Sequence, residues 1–199
     1  MTQKDKRGPY AKGIAKREEI LTRTLDVIAR EGYRGASVKE LAEAVGLTQA
    51  GLLYHFGTKE ELFAEILRKR DELDSAGFDS DKINAETDLL TVVRHNAEVP
   101  GLVQLFSQMA VESADPEHPA HDFFTRHGEV LRQRFIEMTK RRRQIGEFAG
   151  STDPETIARI IQAATDGLQL QWLLDPSIDM AAVLETLFTL LDDEQAKQA

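Results

Sequence analysis

Apolar residues along this chain recur at three- and four-residue spacing, and glycine or proline marks most of the breaks. The first run, from about Ile14 to Glu31, places Ile20, Leu21, Leu25, Val27 and Ile28 on one face and stops at Gly32. Val38, Leu41, Ala42 and Val45 form a second short run; Gly46 interrupts it, and Leu47, Leu52 and Phe56 resume with a shifted phase. Ser37 with Glu40 forms a capping box, Thr48 is a single cap, and Thr58 with Glu61 opens a fourth helix from about Lys59 to Leu73. Beyond the turn-rich stretch from Asp74 to Asp81, the pattern predicts helices near 84–98, 101–114, 118–147, 154–174 and 179–195. Pro100, Pro116, Pro154 and Pro176 mark the boundaries. No segment alternates as a strand would, and no repeat is visible. The expectation is an all-α fold of about nine helices: a three-helix unit at the N-terminus, then a larger helical bundle.

Two short helices joined by a turn at Gly46 have the form of a helix-turn-helix, whose second helix lies in the major groove of DNA. The net charge of −9 opposes that reading until it is divided along the chain. Residues 1–60 carry 11 Lys and Arg against 8 Asp and Glu, whereas residues 61–199 carry 14 against 26. Only the first segment suits phosphate, which divides the chain into an N-terminal arm with DNA reader (1–60) and a larger helical part (61–199). Lys4, Lys6, Arg7, Lys12, Lys16 and Arg17 form a basic lead-in that reads equally as a DNA-tracking arm or a solvated tail. On the third helix Leu52 and Phe56, four apart, face inward, so Gln49, Ala50, Leu53 and Tyr54 face DNA. The Gln49 amide suits adenine and the Leu53 side chain a thymine methyl, although Leu53 also reads as core. Tyr54, His55, Lys59, Ser37 and Thr48 are assigned to phosphates; His55 has packing as its competing role, and the two hydroxyl residues cap helices in either case.

With Gly32 near the end of helix one, Ser37 heading helix two, Gly46-Leu47-Thr48 at the turn and His55-Phe56 followed by Thr58-Lys59-Glu60-Glu61-Leu62, residues 14–62 resemble the DNA-binding domain of the TetR family of bacterial transcriptional regulators. One position departs: the family usually has Tyr where this chain has Leu53, and here the aromatic residue follows as Tyr54. The resemblance implies a DNA contact from Lys39, a homodimer on a double-stranded, pseudo-palindromic operator, and a small-molecule effector among the central helices, most simply releasing a repressor. Ile157, Ile161, Ala164, Leu168, Val183, Leu187, Phe188 and Leu191, in the last two helices, are the expected dimer contacts, with intrachain core as the alternative. Asn96, Phe106, Met109, Phe124, His127, Gln169 and Trp172 are candidate effector contacts, each also readable as core or solvated surface.

Other classes lack their parts. No cysteine is present, which removes disulfides and thiolate sites, and no phosphate loop, nucleophile elbow, zinc-protease motif or dinucleotide fingerprint occurs. No enzyme activity, cofactor or metal is expected. His118, His121 and His127 lack the further ligands of a tetrahedral set, and Lys140-Arg141-Arg142-Arg143 reads as a solvated helix end. No apolar run approaches the roughly 18 residues of a membrane span and no secretory segment opens the chain, so a cytoplasmic location is expected. An architectural DNA binder without a ligand remains the alternative to an effector-controlled regulator.

Overall fold

The computed structural model describes residues 9–32, 36–75, 85–146, 148 and 151–193, and all regular elements among them are α-helices. These are α1 (Pro9–Glu31), α2 (Val38–Ala44), α3 (Gln49–Phe56), α4 (Lys59–Ser75), α5 (Ala85–Asn96), α6 (Pro100–Glu112), α7 (His121–Gln144), α8 (Pro154–Leu174) and α9 (Met180–Asp193). The stretches Lys4 to Arg7 and 76–81 lie outside the described residues. Helix α1 starts at Pro9, earlier than the apolar pattern indicates, because proline suits a first helical position without any apolar face. Helix α7 starts late: around Pro119 the chain makes a turn in which the Ala120 amide donates to His118 Nδ1 at 3.1 Å.

Two apolar clusters organise the helices. The first joins α1–α4 around Ile20, Ile28, Leu41, Leu52, Leu62 and Ile66, all fully buried, and continues through Leu102, Leu105 and Met109 of α6 to Phe123 of α7. Truncating Leu41 or Leu52 to Ala would cost about 2–5 kcal/mol. The second cluster joins α5 and α7–α9, with Val103 reaching in from α6. The apolar core therefore runs on across residue 60, and α4 and α6 connect the reader to the bundle.

The apolar faces expected to form a dimer interface largely close the molecule's own core. Ile157, Ile161, Leu168 and Phe188 are buried inside the second cluster, and Ala164, Leu187 and Leu191 pack against it. Only Val183, 46% exposed, stands clear. Helical periodicity reports that a face is covered but not by what, and here the chain's own helices cover it. The outward apolar positions are offset around the same helices: Ile160, Leu170 and Leu174 on α8, Val183 and Leu190 on α9.

In the basic run late in α7, Lys140 and Arg141 are exposed, but Arg142 and Arg143 are not part of a solvated end. Arg142 bonds to Glu86, reaches Asp192 at 2.9 Å and covers the Phe148 ring at 4.4 Å; Arg143 donates to the Phe148 carbonyl at 3.0 Å. These guanidiniums hold α5, α9 and the chain after α7 together.

Candidate functional site: a helix-turn-helix face and an inner cavity

The turn from Val45 to Thr48 has the local chemistry its sequence suggests. Gly46 takes φ +70°, a left-handed conformation that side chains other than glycine rarely adopt. At the start of α2 the Ser37 amide donates to Glu40 Oε2 at 2.8 Å and the Glu40 amide to Ser37 Oγ at 3.3 Å. Those two bonds to Ser37 lower the pKa of Glu40. The Gly51 amide donates to Thr48 Oγ1 at 3.0 Å. Leu52 and Phe56 are buried, which fixes how α3 rolls on the bundle.

That roll presents Thr48, Gln49, Ala50 and Tyr54 to solvent, with Tyr54 87% exposed; Leu53 and His55 are half-buried. Lys39 is exposed and lies 3.9 Å from Glu43, one turn along α2. Lys59, at the head of α4, lies 5.5 Å above the Phe63 ring. Arg17, grouped by sequence with the basic lead-in, has a different position. From within α1 its guanidinium donates to the His55 carbonyl at the end of α3, covers the Phe56 ring at 4.4 Å and lies 3.8 Å from Glu65. A cation at a helix C-terminus complements the helix dipole, so Arg17 ties α3 to α1 and α4.

Helix α4 carries the second half of the site. Its first turn is capped by the Thr58 amide donating to Glu61 Oε2 at 2.7 Å and the Glu61 amide to Thr58 Oγ1 at 3.1 Å, and Leu62, Phe63 and Ile66 bury it in the reader's apolar cluster. Its last two turns, from Arg68 to Ser75, form one wall of a cavity of about 590 Å³ enclosed with α5, α6, α7 and α8. Asn96, Phe106, His127 and Gln169, four of the expected effector contacts, line this cavity. The other three do not. Met109 is buried in the first cluster, Phe124 packs behind Phe106 with ring centroids 5.1 Å apart, and Trp172 borders a separate recess of about 450 Å³.

Sequence reasoning missed the charged lining. Asp71 of α4 meets His127 Nδ1 of α7 at 2.7 Å and Arg70 at 2.6 Å. Burial pushes the Asp71 pKa up, but the His127 hydrogen bond and the Arg70 charge outweigh it and hold the carboxyl below its ordinary value. Asp74, Asp88 and Asp166 go the other way. Burial raises each, opposed by Arg70 and His95 at Asp74, by Arg134 at Asp88 and by His127 at Asp166. One signal was available: Arg70 continues the spacing of Phe63, Ile66 and Leu67, so it extends a buried stripe. The carboxylates give no such sign, because charge on a helix reads as a solvated face. The three histidines have separate engagements: His121 Nδ1 lies 2.8 Å from the Ser113 carbonyl, His127 meets Asp71, and His118 accepts from Ala120.

Two capped helices, a glycine turn and an exposed second helix define a helix-turn-helix of the DNA-binding class. Residues 20–66 match the family model described as "Bacterial regulatory proteins, tetR family". The transcriptional repressor AcnR of Corynebacterium efficiens is 40% identical over 58 residues, covering 29% of this chain and 31% of that protein. That match spans about a third of the relative's length. The fold extends the likeness across the chain. A TetR-family transcriptional regulator from Rhodococcus sp. is 25% identical with a TM-score of 0.66, covering 89% of this chain and 98% of the other. AibR, solved in complex with isovaleryl coenzyme A and operator DNA, is 21% identical with a TM-score of 0.61 over 89% and 98%. Residues 20–66 are therefore similar to the DNA-binding domain of TetR-family regulators, and the fold of the whole chain is similar to that of a TetR-family regulator.

Proposed function

We propose that this protein is a transcriptional repressor that binds a pseudo-palindromic operator as a homodimer and is released when a small molecule enters the α4–α8 cavity. The observation that carries this reading is the course of α4, which is packed into the reader's core through Leu62, Phe63 and Ile66 and walls the cavity from Arg68 to Ser75. A ligand that prefers one setting of α4 therefore biases the angle at which α3 is presented, and about 1–3 kcal/mol of such preference makes a useful switch. In AibR the same architecture holds a ligand and operator DNA.

Gln49 reads a base edge with Leu53 and Ala50 beside it, while Ser37, Lys39, Thr48, Tyr54, His55 and Lys59 hold phosphates. The dimer forms through α8 and α9 by the outward stripe of Ile160, Leu170, Leu174, Val183 and Leu190, because a face already closed against the chain's own core is not available to a partner.

The test is binding to the DNA flanking the protein's own gene at two salt concentrations. Gln49→Ala should lose about 1–3 kcal/mol of discrimination, whereas Lys59→Ala should weaken binding on every sequence and reduce the salt slope by about one unit. A Val92→Trp variant, which fills the cavity, should still bind the operator but no longer be released by a small-molecule extract of cells. Equal binding of all variants to any duplex would favour an architectural DNA binder, and release that survives Val92→Trp would remove the cavity from the switch.

A further inference from the structure

The polar lining of the cavity is unevenly satisfied. At the α4 wall Arg70, 8% exposed, lies 2.6 Å from Asp71 and 3.9 Å from Asp74 and stacks 4.9 Å over Phe106. Arg68 bonds Glu65, and His127 completes Asp71. That corner is closed by its own partners.

The wall made by α5 and α8 is different. Asp88 and Asn96 are eight apart on α5 with Val92 between them, and Asp166 and Gln169 are three apart on α8, so each pair shares a helix face toward the cavity. Among the described residues Asp88 and Asp166 have no hydrogen bond and no ion pair within 4.0 Å; Arg134 and His127 act on them only at longer range. Asn96 is 4% exposed and its Oδ1 has no donor. Gln169, 8% exposed, makes no side-chain hydrogen bond among the described residues. A buried amide oxygen without a donor costs about 1–3 kcal/mol, and one left at a cavity wall is matched when a ligand supplies the donor. Six carboxylates line the cavity against four guanidiniums, two of which, Arg68 and Arg70, are engaged by Glu65 and Asp71. On this wall the buried polar atom without a partner is an acceptor, Asn96 Oδ1, and both charged groups, Asp88 and Asp166, are carboxylates.

We propose that the α5–α8 wall binds a ligand with a protonated amine, whose N–H groups donate to Asp166, Asp88 and the Asn96 carbonyl while its apolar body lies on Leu89, Val92 and Phe135. This rests on the cavity being the effector site and adds the chemical class of the effector. Arg126 and Arg134 at the α7 side remain opposite the carboxylates and make a carboxylate ligand the competing outcome.

Titration calorimetry with three probes of one shape, phenylbutylamine, phenylbutanol and phenylbutyrate, decides between them. The amine should bind at least about tenfold tighter than the other two, since hydrogen bonds to ionised groups are the strong ones. Asp166→Asn and Asp88→Asn should each remove about tenfold of amine affinity and leave the alcohol unchanged, with thermal unfolding reporting that both variants are folded. A preference for phenylbutyrate, equal binding of all three, no binding of any, or amine affinity unmoved by both substitutions would overturn the proposal. The wider reading fails on a separate result, operator release that persists in Val92→Trp.

Discussion

The reader and the cavity use polar residues in opposite ways. Around α2 and α3 the turn hydroxyls and carboxylates are satisfied within the chain: Ser37 with Glu40, Thr48 with Gly51, Thr58 with Glu61. On the α5–α8 wall Asp88, Asn96, Asp166 and Gln169 lack such partners among the described residues. Polar groups satisfied locally set the geometry of a surface; polar groups left unsatisfied in a recess weaken the free fold and await a ligand. The reader is thus a locally capped presentation of exposed side chains, and the α5–α8 wall carries polar groups without such partners. Substitutions in the reader and on the α5–α8 wall should therefore move stability in opposite directions.

The largest effect is expected at Gly57, which ends α3 at φ +90° and ψ −93°. A Cβ there would meet the Glu61 carboxylate. That carboxylate is the end of a flexible side chain and can move, but in moving it leaves the Thr58 amide without its acceptor. The backbone conformation itself strains any L side chain. Gly57→Ala should cost about 2–3 kcal/mol from the combined strain and lost cap, read as a lowered urea midpoint, with weaker operator binding from the fraction that stays folded.

Next in size is His127→Ala. It removes the one hydrogen bond that carries Asp71 of α4 onto α7, leaving Arg70 as the carboxylate's partner. The expected cost is about 1–2 kcal/mol at neutral pH. The sign with pH follows from Asp71: its pKa in the folded protein lies below the ordinary 3.8, so its contribution is present above that value and lost as pH falls through the lower one. The gap between wild type and His127→Ala should therefore narrow on acidification, and chemical denaturation at neutral and acid pH measures it. A pH-independent gap would mean that His127 acts by packing against Phe106 and Phe123 alone.

The sequence was informative where structure is local and silent where it is not. Capping boxes at Ser37 and Thr58, the break at Gly46 and the helix boundaries at Pro100 and Pro154 depend on residues within one turn of each other. Arg17 is a contrast: nothing near it in sequence announces a bond to the His55 carbonyl, which lies 38 residues away. The same limit affected the expected dimer contacts, because Ile161 and Leu170 lie on one helix and only packing shows which is covered. The cavity was legible through Asn96, Gln169, His127 and Phe106 but not through its acids, since the partner that would mark Asp71 as internal comes from α7.

The smallest effect is the sharpest test of the contrast. Asp166 lines the cavity and retains solvent access, yet burial raises its pKa above 3.8, with His127 opposing. For a carboxyl raised in the folded state, the favourable contribution is present below the unfolded value and is lost as pH rises through the folded one. Asp166→Asn, which removes the charge and keeps the shape, should thus stabilise the free protein at neutral pH and be indistinguishable from wild type in acid. Because solvent screens this group, the gain should stay below about 1 kcal/mol, a shift of a few degrees in thermal unfolding. A residue whose removal strengthens the fold has no structural reason to be charged. Stabilisation at neutral pH together with loss of amine binding would locate that reason in the ligand, whereas destabilisation would mean that Asp166 serves the bundle and that the two walls of the cavity do not differ in kind.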